Sequence, residues 1–325
     1  MMAYAIVARG KGGSDVLEQV ELEKPTPAAG EVLVRHTAIG VNFIDTYFRT
    51  GLYPWPVEKD LVLGSEAAGV VEAMGDGVSG FEVGERVAYT IPNGAYVSHR
   101  AIEAKHLVKL PDEISDEIAA ASMLKGLTAH YLLHRSFAAQ AGQKVLFHAA
   151  AGGVGLIAGQ WLAAKGVTAI GTAGGSQKCA LAAAHGYCQM IDYKSEDFVE
   201  RIKEITEGQG VDAVYDSIGK DTYPGSLYCL KNFGSLVSFG QSSGPALDFK
   251  MSDLATGSYS VTRPVLFHFT AELGYLQSAA DALFDMIISG EIKVNINQKF
   301  NLADVAEAHN RLESRQTTGS TILLP

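Results

Sequence analysis

The sequence contains little cysteine, and this scarcity excludes several kinds of site. Only three cysteines occur among 325 residues: Cys179, Cys188 and Cys229. They are too few and too far apart in the sequence for a disulfide framework or for a four-cysteine zinc site. This usage is typical of proteins in a reducing compartment, so we expect a cytoplasmic protein.

Basic residues and long apolar runs are also scarce. The chain has 26 lysines and arginines against 36 aspartates and glutamates, a formal net charge of −10. An acidic surface repels nucleic-acid phosphates and anionic lipids, so neither nucleic acid nor membrane is an expected partner. No apolar run reaches the ~18 residues of a membrane-spanning helix. The opening MMAYAIVARGKGG lacks the apolar core of a signal peptide.

What the sequence does contain changes character along its length. In the first third, segments rich in Val, Ala and Ile alternate with turn-forming residues, which predicts an antiparallel, barrel-like β region. Apolar strand patterns at 144–150, 168–173, 190–193 and 211–219 then alternate with helical patterns, which predicts a parallel sheet covered on both faces. The predicted fold class is α/β plus β. The predicted domains are 1–124, 125–262 and 263–325, the last returning to the first.

The segment HAAAGGVG, at 148–155, follows a predicted buried strand and precedes a predicted helix. Small residues at such a junction let the backbone approach a pyrophosphate, and the helix N-terminus supplies unpaired N–H groups. Ala150 stands where a dinucleotide fingerprint usually has its first glycine, so the glycine pattern alone is weak. The position of the segment between a predicted strand and a predicted helix is what supports its assignment as a dinucleotide-binding loop. Gly152, Gly153, Val154 and Gly155 are the predicted phosphate contacts.

The segment GTAGGSQK ends the second predicted strand of this region and contains no acidic residue. NAD-specific sites usually place an aspartate or glutamate here, about 20 residues after the glycine loop, to bind the ribose 2′-hydroxyl. In this chain Thr172, Gly175 and Ser176 occupy the position, and Lys178 adds a positive charge. Tyr193 ends the next predicted strand, where it can pack near the adenine or the same phosphate. This environment suits the 2′-phosphate of NADPH.

Several segments together resemble one protein family. The loop AAAGGVG and the segments LGSEAAGVV and NFIDTYFRTGLYP are similar to those of the zinc-free branch of the medium-chain dehydrogenase/reductase superfamily, in particular bacterial quinone oxidoreductases related to ζ-crystallin. The resemblance covers essentially the whole chain. It implies a GroES-like β-barrel catalytic domain with an inserted Rossmann domain, a doubly wound parallel sheet that binds NADPH. It also implies an active-site cleft between the two domains and a homodimer.

The resemblance also bears on metal binding. Zinc-dependent members of the superfamily carry a Gly-His-Glu motif, whereas this chain has Gly-Ser-Glu at 64–66, and serine is not an ordinary zinc ligand. Their first ligand, a cysteine, would fall within 42–45, where this chain has none. His130 and His134 lie four residues apart on a predicted helix, and we interpret them as exposed or packed side chains rather than metal ligands. No catalytic metal is expected.

The resemblance implies roles for three polar side chains. Asn42, Tyr47 and Tyr53 are expected to line the cleft near the nicotinamide, with Asn42 or Tyr47 as the hydrogen-bond donor to a quinone oxygen. A quinone is already a strong hydride acceptor, so the protein supplies positioning and modest electrostatic stabilisation, without a dedicated general acid. Two alternatives stay open: the tyrosines can be packing residues, and Asn42 can cap the helix that it precedes.

Further residues are expected to contact the cofactor. By the resemblance, Lys125 and Thr128 lie on the family's cofactor-side helix. Strand ends are where an open α/β sheet binds its ligand, which favours the segments 217–219 and 239–242. Asp216, just before the first segment, is interpreted as a structural cap or hinge contact rather than an acid catalyst. The complete expected set is Phe43, Lys125, Thr128, Gly152, Gly153, Val154, Thr172, Gly175, Ser176, Lys178, Tyr193, Ser217, Phe239, Gly240 and Ser242.

The expected function is NADPH-dependent reduction of quinones by hydride transfer, without a catalytic metal. Alcohol oxidation benefits from a Lewis acid that stabilises an alkoxide, and quinone reduction does not need one. The nearest alternative is a zinc-free reductase of enone or enoyl C=C bonds; such an enzyme must protonate carbon, for which Tyr47 and Tyr53 are available. An alternative of another class is a non-enzymatic, crystallin-like protein that binds NADPH or RNA. The net charge of −10 argues against RNA.

Overall fold

The computed structural model describes residues 2–325, which form sixteen strands and nine α-helices. The strands are β1 (Met2–Ala8), β2 (Leu17–Glu23), β3 (Glu31–Val41), β4 (Leu61–Val62), β5 (Glu66–Met74), β6 (Arg86–Thr90), β7 (His99–Glu103), β8 (Leu107–Lys109), β9 (Lys144–Phe147), β10 (Thr168–Ala173), β11 (Gln189–Asp192), β12 (Val211–Asp216), β13 (Leu230–Ser238), β14 (Ser260–Thr262), β15 (Ile296–Asn301) and β16 (Ser320–Leu324). The helices are α1 (Phe43–Thr50), α2 (Asp116–Tyr131), α3 (Gly153–Ala164), α4 (Ser176–Ala183), α5 (Phe198–Ile205), α6 (Tyr223–Tyr228), α7 (Leu266–Thr270), α8 (Tyr275–Ile288) and α9 (Val305–Glu313).

Six strands form an entirely parallel sheet in the order β11-β10-β9-β12-β13-β14. The chain builds outward in one direction from β9 and then in the other from β12, so the sheet is doubly wound and its switch point lies between these two strands. Leu146, Ile170 and Val214 from its central strands are fully buried in one cluster with Ile202 of α5 and Leu227 of α6. This sheet puts the carboxyl ends of β9, β10 and β12 at one edge.

The remaining β strands form two sheets. The larger has the order β15-β16-β3-β5-β6-β8, with β7 also paired to β3, and the smaller has the order β2-β1-β4. Strand β3 is central because it pairs antiparallel with β5, β7 and β16. The pairing of Thr321 with Val41 brings the last strand of the chain next to an early one. Val34, Ile39 and Val71 belong to the buried core of this region.

Backbone contacts divide the chain into two compact units. The first consists of Met1–Leu124, Thr270–Ile288 and Val294–Pro325, and the second consists of Lys125–Phe269 and Ser289–Lys293. The second unit continues past residue 262 because Phe269 stacks on Tyr131, with ring centroids 4.6 Å apart. Arg263 also donates a hydrogen bond to the carbonyl of Ser238 within this unit. The predicted domain boundaries stay a prediction.

Two strands are shorter than the sequence pattern predicted. Strand β9 ends at Phe147 rather than at 150, because Ala149 has a left-handed φ of 55° that interrupts the extended backbone. Strand β12 ends at Asp216 rather than at 219, because the Asp216 carboxylate accepts the N–H groups of Ile218 and Gly219. The predicted fold class is otherwise confirmed. No helix within residues 2–325 is both long and apolar enough to cross a membrane.

Candidate active site

Asn42 stands directly before α1, where its backbone is extended, and it is held by two buried carboxylates. Its side-chain Nδ2 donates to Oε1 of Glu66 at 2.9 Å, and its backbone N–H donates to Oδ2 of Asp45 at 2.9 Å. The second contact is part of a capping box at the start of α1. Glu66 is held in turn by the N–H of Leu124, 2.6 Å from Oε2. Asn42 is therefore a helix cap whose side-chain amide also has a set direction.

Asp45 is a buried carboxylate with three hydrogen-bond donors. Ser65 donates its hydroxyl to Oδ1 at 2.7 Å, and Tyr96 donates its hydroxyl to Oδ2 at 2.9 Å, beside the N–H of Asn42. Burial raises the pKa of Asp45 to about 6, and the three donors oppose this rise by stabilising the charged form. The carboxylate is thus charged at neutral pH and anchors the start of α1 to the Ser65 segment.

A chain of buried hydrogen bonds leads from Asp45 to the surface. The Tyr96 hydroxyl lies 2.9 Å from Nε2 of His309, and Nδ1 of His309 lies 3.0 Å from Nη1 of Arg49. Because a guanidinium only donates, Nδ1 must be the acceptor, so Nε2 carries the proton and donates to Tyr96. Burial lowers the pKa of His309 to about 3, with Arg49 acting in the same direction. Arg49 ends the chain with two 2.8 Å bonds to the partly exposed Glu313.

The two predicted tyrosines belong to an aromatic group on and after α1. The rings of Tyr47 and Tyr53 are 5.3 Å apart and meet edge to face, while Phe48 meets Tyr53 in the same way at 5.6 Å. The ring of Phe43 lies 6.3 Å from that of Tyr47. The N–H of Tyr53 donates to the carbonyl of Tyr47, which folds the chain back after the helix. Ring packing, the alternative role for the tyrosines, is therefore present.

In the second unit, the predicted phosphate loop joins β9 to α3. A Cβ atom at Gly155 would lie 2.5 Å from the carbonyl oxygen of Ala149, so only glycine lets α3 pack this closely on the loop. Ala150 can replace the usual glycine because its methyl group faces Gly171, which has no side chain. A Cβ at Gly171 would lie 2.7 Å from the Ala150 Cβ. Gly152 precedes the twelve-residue α3, and a Cβ there would meet only the Ala149 carbonyl oxygen, at 3.2 Å. The loop therefore presents backbone and little else.

The GTAGGSQK segment ends β10 and begins α4. A Cβ at Gly174 would lie 2.5 Å from the hydroxyl of Tyr193, so this glycine allows the partly exposed tyrosine ring to lie across the loop. Gly175 has a φ of 98°, which favours glycine, and directly precedes α4. Ser176, the first residue of α4, is exposed. Lys178, two positions further along this helix, is half-buried.

Asp192 is an acidic residue at this bend that the sequence analysis missed. Its Oδ1 accepts the N–H of Gly175 at 2.8 Å and the N–H of Lys194 at 3.0 Å. These two backbone donors lower the pKa of Asp192, so the carboxylate is charged at neutral pH. Asp192 comes from the next strand, and only the parallel pairing of β10 with β11 brings it beside Gly175.

Thr172 faces the inside of the second unit. Its hydroxyl lies 2.9 Å from Nδ1 of His148, and Nε2 of that ring lies 3.1 Å from the hydroxyl of Ser226. Ser226 donates its proton to Asp216, so Nε2 donates to Ser226 and Thr172 donates to Nδ1. Burial lowers the pKa of His148, which keeps the ring neutral. The Thr172 hydroxyl is therefore engaged within the protein.

The ends of β12 and β13 are joined by backbone contacts. Phe239 donates its N–H to the carbonyl of Asp216 at 2.8 Å, and Ser242 donates to the carbonyl of Ser217 at 3.1 Å. A Cβ at Gly240 would lie 2.7 Å from that same Ser217 oxygen. The Asp216 side chain accepts four hydrogen bonds from its own strand end and α6. Asp216 therefore has the structural role that the sequence predicted.

Two further pairs of side chains singled out in the sequence are Lys125 with Thr128 and His130 with His134. Lys125 and Thr128 are buried on α2, with 5% and 6% of their surface exposed. The rings of His130 and His134 stack at 4.6 Å against Trp161, and burial lowers the pKa of His130 to about 4. No group of three or more His, Cys, Asp or Glu side chains suited to a metal ion occurs within residues 2–325.

The predicted residues thus form two sets, one in each compact unit. Asn42, Phe43, Tyr47 and Tyr53 share α1 and the turn after it in the first unit. In the second unit, the N–H of Ala150 donates to the carbonyl of Thr172, which joins the glycine loop to the GTAGGSQK segment. The carboxylates of Asp45 and Glu66 had sequence signals, in the Asn-x-x-Asp cap spacing and the Gly-Ser-Glu segment. Asp192 had none.

Comparison with known proteins gives matches along the whole chain. A model of the alcohol dehydrogenase GroES-like domain matches residues 28–112, and a zinc-binding dehydrogenase model matches residues 185–323. The chain is 49% identical to a quinone oxidoreductase of Pseudomonas aeruginosa and 42% identical to a 2-haloacrylate reductase of Burkholderia sp, with at least 99% of every chain covered. The crystal structure of Escherichia coli quinone oxidoreductase complexed with NADPH superposes with a TM-score of 0.96 at 47% identity, over 99% of this chain and 100% of that one.

Proposed function

The chain belongs to the quinone oxidoreductase family of medium-chain dehydrogenases/reductases, and on that premise we propose that it reduces quinones by hydride transfer from NADPH without a catalytic metal. The observation that carries this proposal is the likeness to quinone oxidoreductases over the full length of the chain, including one complexed with NADPH. The proposed domains are a GroES-like catalytic domain at 1–124, a Rossmann domain at 125–262 and a return segment at 263–325.

The residues of the second unit fit a dinucleotide. NADPH, when bound, supplies the hydride. Gly152 directly precedes α3 and Gly153 and Val154 begin it; the first N–H groups and the positive partial charge of this helix suit a pyrophosphate. The absence of side chains on the glycines lets phosphate oxygens approach the backbone. Lys125, Thr128 and the strand-end residues Ser217, Phe239, Gly240 and Ser242 are proposed contacts for the rest of the cofactor.

The preference for NADPH over NADH is proposed to come from the bend before α4. Ser176 is exposed at the start of that helix, Lys178 adds a positive charge, and Tyr193 lies across Gly174. Asp192 and Glu196 are opposing charges at this bend, but Oδ1 of Asp192 accepts two backbone N–H groups and Oε2 of Glu196 accepts the N–H of Asp192. Because the hydroxyl of Thr172 is engaged by His148, we assign the 2′-phosphate to Ser176 and Lys178.

On the substrate side, Asn42 is the proposed hydrogen-bond donor to the quinone oxygen. One N–H of its amide donates to Glu66, and this sets the direction of the second N–H on the same nitrogen. A preorganised donor stabilises the negative charge that develops on the quinone oxygen during reduction. Tyr47 and Tyr53 are proposed to shape the site through their rings, and water completes protonation of the product.

The absence of a catalytic metal is supported by the chemistry of the side chains at 64–66. Ser65 has a hydroxyl instead of an imidazole, and it donates that proton to Asp45. Glu66 accepts hydrogen bonds from Asn42 and from the N–H of Leu124. These oxygens are engaged with protein donors, and neither a thiolate nor an imidazole accompanies them.

Three further parts of the proposal concern the whole protein. Three free thiols, among them the exposed Cys188, suit the reducing cytoplasm. The net charge of −10 disfavours nucleic acid as a partner. Association into a homodimer rests on the resemblance to the family, and light scattering of the purified protein measures it directly.

The first test is the rate of NADPH oxidation with three substrates offered in parallel: benzoquinone, a larger naphthoquinone and an enone. Each is repeated with NADH. We expect fast turnover of the quinones with NADPH and little turnover with NADH. Absence of quinone turnover with either cofactor would refute the proposed activity.

The enone arm tests a second candidate function, the reduction of activated C=C bonds. The 42% identity to a 2-haloacrylate reductase favours this candidate, because an acrylate carries a C=C bond conjugated to a carboxylate. Reduction at carbon requires a proton donor, for which Tyr47 and Tyr53 are the candidates. Turnover of the enone alone would favour this function over quinone reduction and would make the two tyrosines the next variants.

Cofactor choice is tested by Lys178→Glu. We expect the KM for NADPH to rise at least tenfold, about 1.4 kcal/mol, while the KM for NADH changes little, because only NADPH carries the 2′-phosphate. Lys203→Glu, on the exposed face of α5, makes the same change in net charge and is the matched control. Equal effects of Lys178→Glu on both cofactors would contradict the assignment.

A further inference from the structure

The loop at 91–94, which follows β6, is bonded at both ends to the segment at 62–65. The N–H of Ile91 donates to the carbonyl of Ser65 at 3.1 Å, and the N–H of Gly94 donates to the carbonyl of Val62 at 2.8 Å. The hydroxyl of Thr90 donates to that same Ser65 carbonyl at 3.0 Å. The loop is therefore held in one position against this segment.

Asn93, inside this loop, is a buried amide without a protein partner. Only 5% of its surface is exposed, and neither Nδ2 nor Oδ1 has a hydrogen-bond partner among residues 2–325. Buried side-chain amides in folded proteins are nearly always hydrogen-bonded, because an unpaired polar group loses its contacts with water and gains none in return. The amide of Asn93 therefore has hydrogen-bonding capacity that the described residues 2–325 leave unused.

The backbone of Asn93 adds a second cost. Its φ is 58°, in the left-handed region that asparagine tolerates better than most residues but glycine adopts without strain. The next residue, Gly94, also has a left-handed φ, of 88°. A glycine at 93 would satisfy the backbone better and would leave no unpaired amide. A residue that combines a strained backbone with an unpaired polar side chain is typical of functional positions.

Hydrogen bonds connect this loop to Asn42, the proposed hydrogen-bond donor to the quinone. Ser65, which accepts from Ile91 and Thr90, donates its hydroxyl to Asp45 at the start of α1. The next residue, Glu66, accepts the side-chain amide of Asn42. Ser65 thus supports the loop that carries Asn93, and the next residue, Glu66, holds the amide of Asn42.

We propose that Asn93 is a specificity-determining residue that hydrogen-bonds a carbonyl oxygen of the quinone through its side-chain Nδ2. A quinone carries two carbonyl oxygens on opposite sides of its ring and accepts at both. Asn42 serves the oxygen at which charge develops, and Asn93 serves substrate recognition. The inference rests on the proposed quinone reduction and identifies a second polar contact for that substrate.

The test is Asn93→Gly, which removes the amide and keeps the left-handed backbone without strain. We expect kcat/KM for benzoquinone to fall about tenfold, mainly through KM, while the KM for NADPH stays unchanged. The melting temperature of the free protein should be unchanged or higher, because the unpaired amide is gone. Glu207→Gly is the matched control, since Glu207 has the same left-handed backbone, with a φ of 54°, at an exposed position in the second unit.

A second measurement does not depend on turnover. A hydroquinone added to the wild-type protein should raise its melting temperature, and this rise should be absent or much smaller in Asn93→Gly. Asn93→Asp, of nearly the same size, provides a second variant without the N–H donors, and it should lose quinone affinity in the same way.

The outcomes separate this inference from the proposed function. Quinone turnover by the wild type with unchanged quinone kinetics in both Asn93 variants would overturn the inference and leave the function intact. A lower melting temperature of Asn93→Gly with unchanged quinone kinetics would assign the amide to internal structure and would also overturn it. Absence of quinone turnover in the wild type would refute the proposed function itself.

Discussion

The buried carboxylate of Asp45 illustrates, at the scale of a single residue, how surroundings set a charge. Burial raises its pKa from the ordinary 3.8 to about 6, so in the folded state the group binds its proton more tightly than in the unfolded state. The folded state then holds more protons between about pH 4 and pH 6, and stability falls as the pH rises through this window. The three donors from Ser65, Asn42 and Tyr96 limit the loss.

Replacement of Asp45 tests this directly. In Asp45→Asn the titrating group is absent, so we expect the wild-type advantage in free energy of unfolding to shrink by about 2 kcal/mol between pH 4 and pH 7. Urea unfolding of both proteins across this range measures the difference.

Asp192→Asn is the matched comparison, because the pKa of Asp192 is lowered by backbone N–H donors rather than raised by burial. Its contribution to stability is present above the unfolded pKa and is lost as the pH falls, so the wild-type advantage over this variant should grow with pH. Parallel slopes for the two variants would contradict the assigned environments.

At the scale of the element, two glycines at the start of α3 have different roles. Gly152 is a proposed phosphate contact, whereas Gly155 allows the helix to pack closely on the loop. Gly152 and Gly155 belong to the same loop and helix, but a Cβ at Gly152 meets only one atom, at 3.2 Å, whereas a Cβ at Gly155 meets two carbonyl oxygens within 2.6 Å. A methyl group at the first position therefore requires the Ala149 carbonyl to move by only a few tenths of an ångström. At the second position it requires a larger shift of the backbone.

Alanine at each position gives opposite expectations. Gly152→Ala should weaken NADPH binding about tenfold with little change in melting temperature, because its methyl group occupies the approach to the backbone N–H groups. Gly155→Ala should lower the melting temperature by roughly 4 °C or more, as expected for an overpacked contact. Calorimetric titration with NADPH and thermal unfolding measure the two effects. Unchanged NADPH affinity in Gly152→Ala would refute the phosphate-loop assignment.

At the scale of the whole molecule, the enzyme is expected to work without zinc. Ser65 and Glu66 are engaged by protein hydrogen bonds, and the side chains described here, residues 2–325, contain no cluster of metal ligands. Metal analysis should find far less than one zinc per chain, and treatment with a chelator should leave quinone turnover unchanged. A zinc-dependent alcohol dehydrogenase treated in parallel should lose its activity. Loss of quinone turnover on chelation would contradict the metal-free mechanism.

The sequence by itself determined the features that depend on near neighbours in the chain. The strand of 168–173, the glycine loop before α3 and the helix that begins after Asn42 were all predicted, because apolar periodicity and cap chemistry are local. The lack of a histidine at 64–66 and of a cysteine at 42–45 can also be read from the sequence, because it depends on residue type alone. The early ends of β9 and β12 were not predicted, because a left-handed Ala149 and the cap of Asp216 leave no apolar signal.

The tertiary structure alone decided which distant groups meet. Asp192 reaches Gly175 only because β11 pairs with β10, Tyr96 reaches Asp45 across 51 positions, and Arg49 reaches His309 across 260 positions. The unpaired amide of Asn93 is likewise visible only once its surroundings are known. Such contacts have no period in the sequence, because they arise from strand register and from burial of the whole core, and each polar partner is set by the position of the backbone that carries it.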